Sequence, residues 1–253
     1  MINTQPVNVS QYLDSTYLKT AVQANLSEEQ TKQKVIELID EAIDNKFKLV
    51  MIRPRYVSLA RERIQNEKSE VLVGTVIGFH EGSYPVEEKL EQARQAIADG
   101  ADELDFVINY TAFKEGKINL VKSEIFKGTK LALDNDKIVK WIIEIAALSD
   151  EEIVAITQLI RDVVIDNFGT EKADRVFVKS STGFYKTADN KPNGATFEGM
   201  QLILDNCRPL QAKAAGGVRS YDDAVKMIEM GVSRIGTSSA AVIADGGKTK
   251  DNY

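Results

Sequence analysis

Short runs rich in valine, isoleucine and phenylalanine recur along this chain, each followed by a stretch of helical periodicity, and that alternation leaves few folds open. The runs fall at 11–15 (QYLDS), 48–53 (KLVMIR), 71–77 (VLVGTVI), 103–108 (ELDFVI), 139–145 (VKWIIEI), 175–180 (RVFVKS), 211–215 (QAKAA) and 233–237 (SRIGT). The first and seventh are weak by composition alone. Between the runs, helix starts are visible. Ser27 with Gln30 and Ser149 with Glu152 have capping-box spacing, and Val35, Leu38, Ile39, Ala42 and Ile43 follow the first at helical intervals. Pro85 suits a first helical position, Gly100 a helix stop, and Ser220 can cap a helix that Gly231 ends. Strand and helix patterns that alternate about every 22–37 residues predict parallel strands joined by helical crossovers. Eight such units match a (β/α)8 barrel, an α/β fold in one domain over 1–253. A doubly wound open sheet is the rival, and no G-x-G-x-x-G follows the first strands to support it. The segment 246–253 (GGKTKDNY) reads as a mobile tail.

Bulk numbers narrow the function. The 253 residues carry 32 Lys plus Arg against 38 Asp plus Glu, a net charge of −6, which argues against a nucleic-acid partner while leaving room for a local phosphate site. One cysteine, Cys207, allows no internal disulfide and fits a reducing, cytoplasmic setting. The N-terminal segment has no basic stretch leading into an apolar one, and no apolar run approaches the ~20 residues a membrane span needs. With one His and one Cys, a His/Cys metal site is nearly excluded, and a Ser-His-Asp triad would have to use His80. No metal or cofactor is therefore expected. The oligomeric state is not fixed by the sequence, and a homodimer is carried forward as the candidate assembly.

In a barrel, chemistry sits at the C-terminal ends of the strands. There the chain offers Asp14 on strand one, Asp105 on strand four, Lys179 on strand six and Lys213 on strand seven, then Gly216-Gly217 and Gly236-Thr237-Ser238-Ser239. A strand lysine taken alone reads as a side chain whose stem is buried and whose ammonium reaches solvent. The second lysine changes that reading, because strands six and seven are neighbours. At ~6 Å and an effective dielectric of ~20, two ammonium groups repel by roughly 3 kcal/mol. That is about two pKa units, enough to leave one amine partly neutral near pH 7. A neutral amine is what attack on a carbonyl requires. Asp105 can be a plain salt-bridge partner, or also a general acid/base. The glycine pair and the serines close the loops that form the common phosphate site of such barrels, although Ser238 or Ser239 could cap a helix with no ligand at all. His80, Cys207 and Trp141 read as packing or surface residues, and Lys186 and Lys191 as solvated loop lysines of which one could assist phosphate binding.

At this point the pattern resembles the deoxyribose-phosphate aldolases. The resemblance runs from about Tyr12 to Tyr253 and is carried by LDSTYL (13–18), VMIRPRYV (50–57), GADELDFVIN (100–109), VKWIIEIAALSDEE (139–152), VFVKSSTGF (176–184), KAAGGVRS (213–220), RIGTSSA (234–240) and a terminal tyrosine. It implies reversible cleavage of 2-deoxyribose 5-phosphate to acetaldehyde and glyceraldehyde 3-phosphate through a lysine Schiff base. On this resemblance Lys179 is the Schiff-base lysine, Lys213 the lysine that lowers its pKa, and Asp105 the acid that relays protons. Thr182, Gly183, Gly216, Gly217, Ser238 and Ser239 fall on substrate and phosphate contacts. Asp14 falls on a carboxylate that helps position the substrate, and Tyr253 on a mobile tyrosine implicated in proton transfer. Two positions depart from the pattern. Phe184 stands where some members have a lysine after the STG turn, which weakens the case for one cationic phosphate contact. Met51 stands where some bacterial members have a cysteine, which predicts better tolerance of acetaldehyde. Two other readings are kept beside this one. A different small-aldehyde Schiff-base barrel is separable by its donor, and a silent phosphosugar-binding barrel should have lost a lysine or the acid.

Overall fold

A computed structural model describes residues 7–188 and 192–249. Eight strands alternate with helices. The strands are β1 (Leu13–Tyr17), β2 (Leu49–Ile52), β3 (Leu72–Ile77), β4 (Glu103–Val107), β5 (Ile138–Ile142), β6 (Val176–Lys179), β7 (Gln211–Ala215) and β8 (Arg234–Thr237). Every neighbouring pair is parallel, and β8 returns to β1 to close the barrel. The helices are α1 (Ala21–Ala24), α2 (Glu28–Asp44), α3 (Val57–Asn66), α4 (Val86–Ala98), α5 (Tyr110–Lys114), α6 (Ile118–Asp134), α7 (Asp150–Phe168), α8 (Phe197–Cys207), α9 (Tyr221–Met230) and α10 (Ala240–Ala244). The fold is a single (β/α)8 barrel, and the open-sheet alternative falls away. None of the described helices is long and apolar enough to cross a membrane.

Local chemistry explains the helix starts. Ser27 with Gln30 and Ser149 with Glu152 form reciprocal capping boxes on α2 and α7. Ser220 caps α9 through the Asp223 N–H, and Gly231 ends it at φ 107, in the left-handed region. Pro85 sits one place earlier than expected, at the N-cap of α4. The apolar faces of the helices pack on the outward faces of the strands. Trp141 is fully buried there, 5.0 Å from the Phe106 ring, with its indole N–H donated to Thr129 Oγ1 at 3.1 Å.

The first strand differs from expectation. A 3-10 turn occupies Val9–Tyr12 and the strand runs over Leu13–Tyr17, so Asp14 lies in the strand's first half and does not end it. Its buried side chains beyond Leu13 are Asp14, Ser15 and Thr16, so no apolar alternation marks its bounds. The expected tail over 246–253 also begins differently. The Thr249 N–H donates to the Arg219 carbonyl at 2.9 Å, and Lys248 bridges to Ser220, so the described part of the segment is held. Residues 250–253 lie outside the described residues.

The barrel interior is divided. On β2 and β3 it is apolar: Leu49, Met51 and Val76 form one cluster with Leu18, and Phe79 and Phe184 pack against it. Gly74 leaves the room this requires, since a Cβ there would sit 2.6 Å from the Met51 methyl. On β4 to β8 and β1 the interior is charged. The exit of β4 is fixed from behind by a buried ion pair between Lys89 of α4 and Glu124 of α6. Lys89 Nζ donates to the Val107 carbonyl at 2.7 Å, and Glu124 accepts the Asn109 N–H at 2.9 Å.

Candidate active site

Strand register builds the charged half. Lys179 lies beside Lys213, Asp105 beside Lys140, and Lys213 beside Arg234. Lys179 closes β6 and is 3% exposed, while Lys213 and Asp105 are fully buried. One carboxylate oxygen joins the three: Asp105 Oδ2 accepts from Lys179 Nζ at 2.8 Å and from Lys213 Nζ at 3.0 Å. The two amine nitrogens are thus held within about 6 Å of each other, the separation at which their repulsion was reckoned above.

Four more groups extend this cluster. Lys140 Nζ donates to the other Asp105 oxygen at 2.7 Å and also bonds Glu103. Arg234 forks onto Glu103, with N···O distances of 3.0 and 3.1 Å, and its Nε donates to Asp14 Oδ1 at 2.8 Å. The second Asp14 oxygen pairs with Lys213 at 2.6 Å, which closes the ring. Among the described residues, three carboxylates (Asp14, Glu103, Asp105) therefore meet four cationic groups (Lys140, Lys179, Lys213, Arg234). The layer balances electrically only when one cation gives up its proton.

The surroundings select which one. Burial drives the Lys179 amine down to about 8; the Asp105 carboxylate opposes that fall and the Lys213 ammonium adds to it. The lysine–lysine repulsion expected from the sequence is present but secondary to loss of hydration, and Asp105 between the amines opposes both. At pH 7 an amine of this kind is neutral in about one molecule in ten, and in half near pH 8. Burial also presses on Lys213, but Asp105 and Asp14 outweigh it and keep its pKa above the ordinary lysine value. Burial works against the Asp105 charge, and the three lysines override it, holding the carboxyl well below the usual range. The result is one deprotonable amine beside a fixed cation and a fixed carboxylate.

The loops above this layer carry the other expected residues. Gly183, Gly216 and Gly217 all have positive φ, at 81, 68 and 78. At Gly217 the demand is strict, since a Cβ would sit 2.3 Å from the Ala195 carbonyl oxygen. Ser239 stands at the N-cap of α10 without a side-chain capping bond, so simple helix capping does not occupy that hydroxyl. Thr182 is buried and its N–H and hydroxyl both bond Glu144. Asp14 has both oxygens facing Lys213 and Arg234, which ties it to the charged layer. His80 stacks on Phe184 at 5.8 Å, 18° from parallel, and Phe79 meets the Phe184 ring edge-on at 5.0 Å. Cys207 is buried outside the site, Lys186 is exposed, and Tyr253 and Lys191 lie outside the described residues. Among the described residues no group of three or more His, Cys, Asp and Glu is arranged to hold a metal ion.

Sequence reasoning missed Glu103, Lys140, Arg234 and Glu144. A signal existed for three of them. Glu103 shares the inward period of Asp105 in ELDFV, and Lys140 and Glu144 are the two charged residues in the apolar run VKWIIEI. Arg234 carried no such mark.

Comparison with known proteins places the chain in a family. A family model described as DeoC/LacD family aldolase matches residues 11–247. The chain is 39% identical over 246 residues to a protein named deoxyribose-phosphate aldolase from Thermococcus gammatolerans, covering 97% of this chain and 99% of that one. It is 38% identical to the protein of that name from Staphylococcus haemolyticus, covering 98% of this chain and all of the other. Among solved structures, the tetrameric deoxyribose phosphate aldolase from Aeropyrum pernix superposes with a TM-score of 0.75 at 29% identity, covering 94% of this chain and 89% of that one.

Proposed function

The chain belongs to the DeoC/LacD aldolase family, and from that premise we propose that it cleaves 2-deoxy-D-ribose 5-phosphate reversibly to acetaldehyde and D-glyceraldehyde 3-phosphate through a Schiff base on Lys179. The observation that carries the reading is the single Asp105 oxygen shared by two buried lysines, one of which is poised to be neutral.

The neutral Lys179 amine adds to the sugar aldehyde, and the carbinolamine loses water to give a protonated imine. Asp105 Oδ2 touches both amines, so it can pass protons between Lys213 and the carbinolamine oxygen. A base then takes the proton of the hydroxyl on the carbon beyond the bond to be broken. That carbon–carbon bond breaks, its electron pair neutralises the iminium nitrogen, and an enamine remains while glyceraldehyde 3-phosphate leaves. Protonation of the enamine carbon and addition of water release acetaldehyde and restore the amine. No step calls on a metal or a cofactor. Asp14 contributes by holding Lys213, and the substrate phosphate lies against the backbone of Gly183, Gly216 and Gly217 with Ser238 and Ser239 as hydroxyl donors. Phe184, packed with Phe79 and His80, adds no cation there. Tyr253 is assigned the proton transfer at the enamine carbon.

We assign the enzyme to the cytoplasm and to the breakdown of deoxynucleosides, acting as a homodimer. Analytical ultracentrifugation tests the assembly, and a tetramer like that of the Aeropyrum pernix protein would refute it. The chemistry is tested by borohydride reduction in the presence of acetaldehyde followed by peptide mass spectrometry. A reduced two-carbon adduct on Lys179 is expected. Trapping by dihydroxyacetone-type donors in place of acetaldehyde, or an adduct on another lysine, would overturn the reading.

A further inference from the structure

Glu144 belongs to none of the roles assigned so far. It follows β5 by two residues, at the barrel end where Lys179 opens, and its backbone is left-handed at φ 58 and ψ 68. A non-glycine residue in that conformation is strained and persists only when its surroundings require it. The side chain is 1% exposed. One carboxyl oxygen accepts the Thr182 N–H at 3.2 Å and the Thr182 hydroxyl, and that hydroxyl oxygen in turn accepts the Phe184 N–H at 3.0 Å. The backbone on either side is bonded to the same segment: Ile143 N–H to the Lys179 carbonyl at 3.0 Å and Ile145 N–H to the Ser180 carbonyl at 2.9 Å. The exit of β5 is thus stitched to the residues that leave Lys179 for Gly183. The other carboxyl oxygen, Oε1, is buried without a hydrogen-bond partner among the described residues. An acid that is buried, strained and half satisfied is a costly way to tie two loops together, and a neutral side chain would do it more cheaply.

We propose that Glu144 is a positioning residue of the aldol reaction, whose ionised carboxylate clamps Thr182 and thereby sets Gly183 for the substrate, and whose protonation loosens that clamp. The proposal rests on the reading that Thr182 and Gly183 contact substrate. Hydrogen bonds to an ionised carboxylate are roughly twice as strong as those to a neutral acid, so the charge decides how firmly the loop is held. The titratable groups facing Glu144 are Lys179 from β6 and Tyr110 from α5, and Tyr110 is itself influenced by Tyr185 and Glu81. Burial pushes the Glu144 carboxyl up to about 7, with the Thr182 bonds and Lys179 opposing, so both forms are populated near neutral pH and the ionised one grows above it. A protonated imine at Lys179 carries a positive charge facing Glu144. Its formation favours the ionised form of Glu144 and tightens the loop once substrate is attached.

The experiment compares wild type, Glu144→Gln and Glu144→Ala between pH 6 and 8. It measures kcat and KM for the phosphosugar, together with borohydride trapping by acetaldehyde alone. Acetaldehyde is too small to need the loop, so trapping should stay within about twofold in all three, which also verifies that each variant is folded. Glu144→Ala should raise KM about tenfold, the loss of a buried charge-assisted contact. Glu144→Gln keeps an acceptor oxygen but no titratable proton, so its KM should lose the rise that wild type shows as pH falls through 7. An unchanged KM in Glu144→Ala, or a wild-type pH dependence in Glu144→Gln, would overturn the proposal. Should wild type itself fail to be trapped by acetaldehyde, the fault would lie in the proposed reaction and not in the clamp.

Discussion

Replacing Lys213 with leucine is the most revealing single perturbation, because it inverts the charge balance of the barrel interior. In the native layer three carboxylates are matched by Lys140, Lys213 and Arg234, and a protonated Lys179 is in excess. Without Lys213 the same three carboxylates are matched only if Lys179 keeps its proton. The magnitude follows from the geometry. Two ammonium groups within about 6 Å interact by roughly 3 kcal/mol at an effective dielectric of ~20, or about two pKa units. Lys179, now near 8, should return toward the ordinary lysine value. Two units is the upper bound, because burial is the larger cause of the native shift and leucine does not rehydrate the site.

The sign is fixed by the same reasoning. A raised amine pKa means fewer neutral molecules at any pH below it, so the loss is greatest in acid and shrinks as pH rises. At pH 7 the rate of imine formation should fall by up to about 100-fold. Rapid-quench borohydride trapping with acetaldehyde, followed from pH 6 to 10, reads the inflection directly. The wild type should turn near 8 and the leucine variant one to two units higher. Lys213→Arg supplies the control, since it keeps a positive charge in place and should keep most of the shift. A leucine variant with the wild-type inflection and only a lower plateau would refute the electrostatic argument. Lys213 would then act through proton transfer alone.

Other perturbations test other parts of the site. Lys179→Leu should abolish both turnover and borohydride trapping in a folded protein, which circular dichroism checks; residual trapping would mean that another amine is the nucleophile. Deleting Tyr253 should slow deuterium exchange at the donor carbon of acetaldehyde, followed by NMR, at least tenfold more than it slows imine formation; equal losses would contradict its assignment. High acetaldehyde should leave activity largely intact over hours. Met51 offers no thiolate inside the barrel, and burial pushes the lone Cys207 thiol up to about 11. Rapid irreversible loss with an adduct on the protein would count against this.

The barrel was legible because its signal is local. Six of the eight strands are apolar runs of the right length, and the strand-end rule then directs attention to Lys179, Lys213 and Asp105. The first strand was misplaced by two residues because Asp14, Ser15 and Thr16 are buried polar side chains, and no apolar period frames them. The rest of the charged layer was hidden for a different reason. Its bonds join residues far apart in the chain, 220 positions in the case of Arg234 and Asp14 and 108 for Lys213 and Asp105. Reading two lysines without their counterions overstated one force and left out another. Repulsion between the amines was assigned the whole shift, whereas the structure places Asp105 between them, where it attracts both. What lowers Lys179 is chiefly the loss of water around an amine that three fully paired carboxylates no longer need. Two lysines side by side would have made either one a candidate nucleophile. The ring of partners decides between them, since among the described residues Lys213 touches two carboxylates and Lys179 only the one it must share.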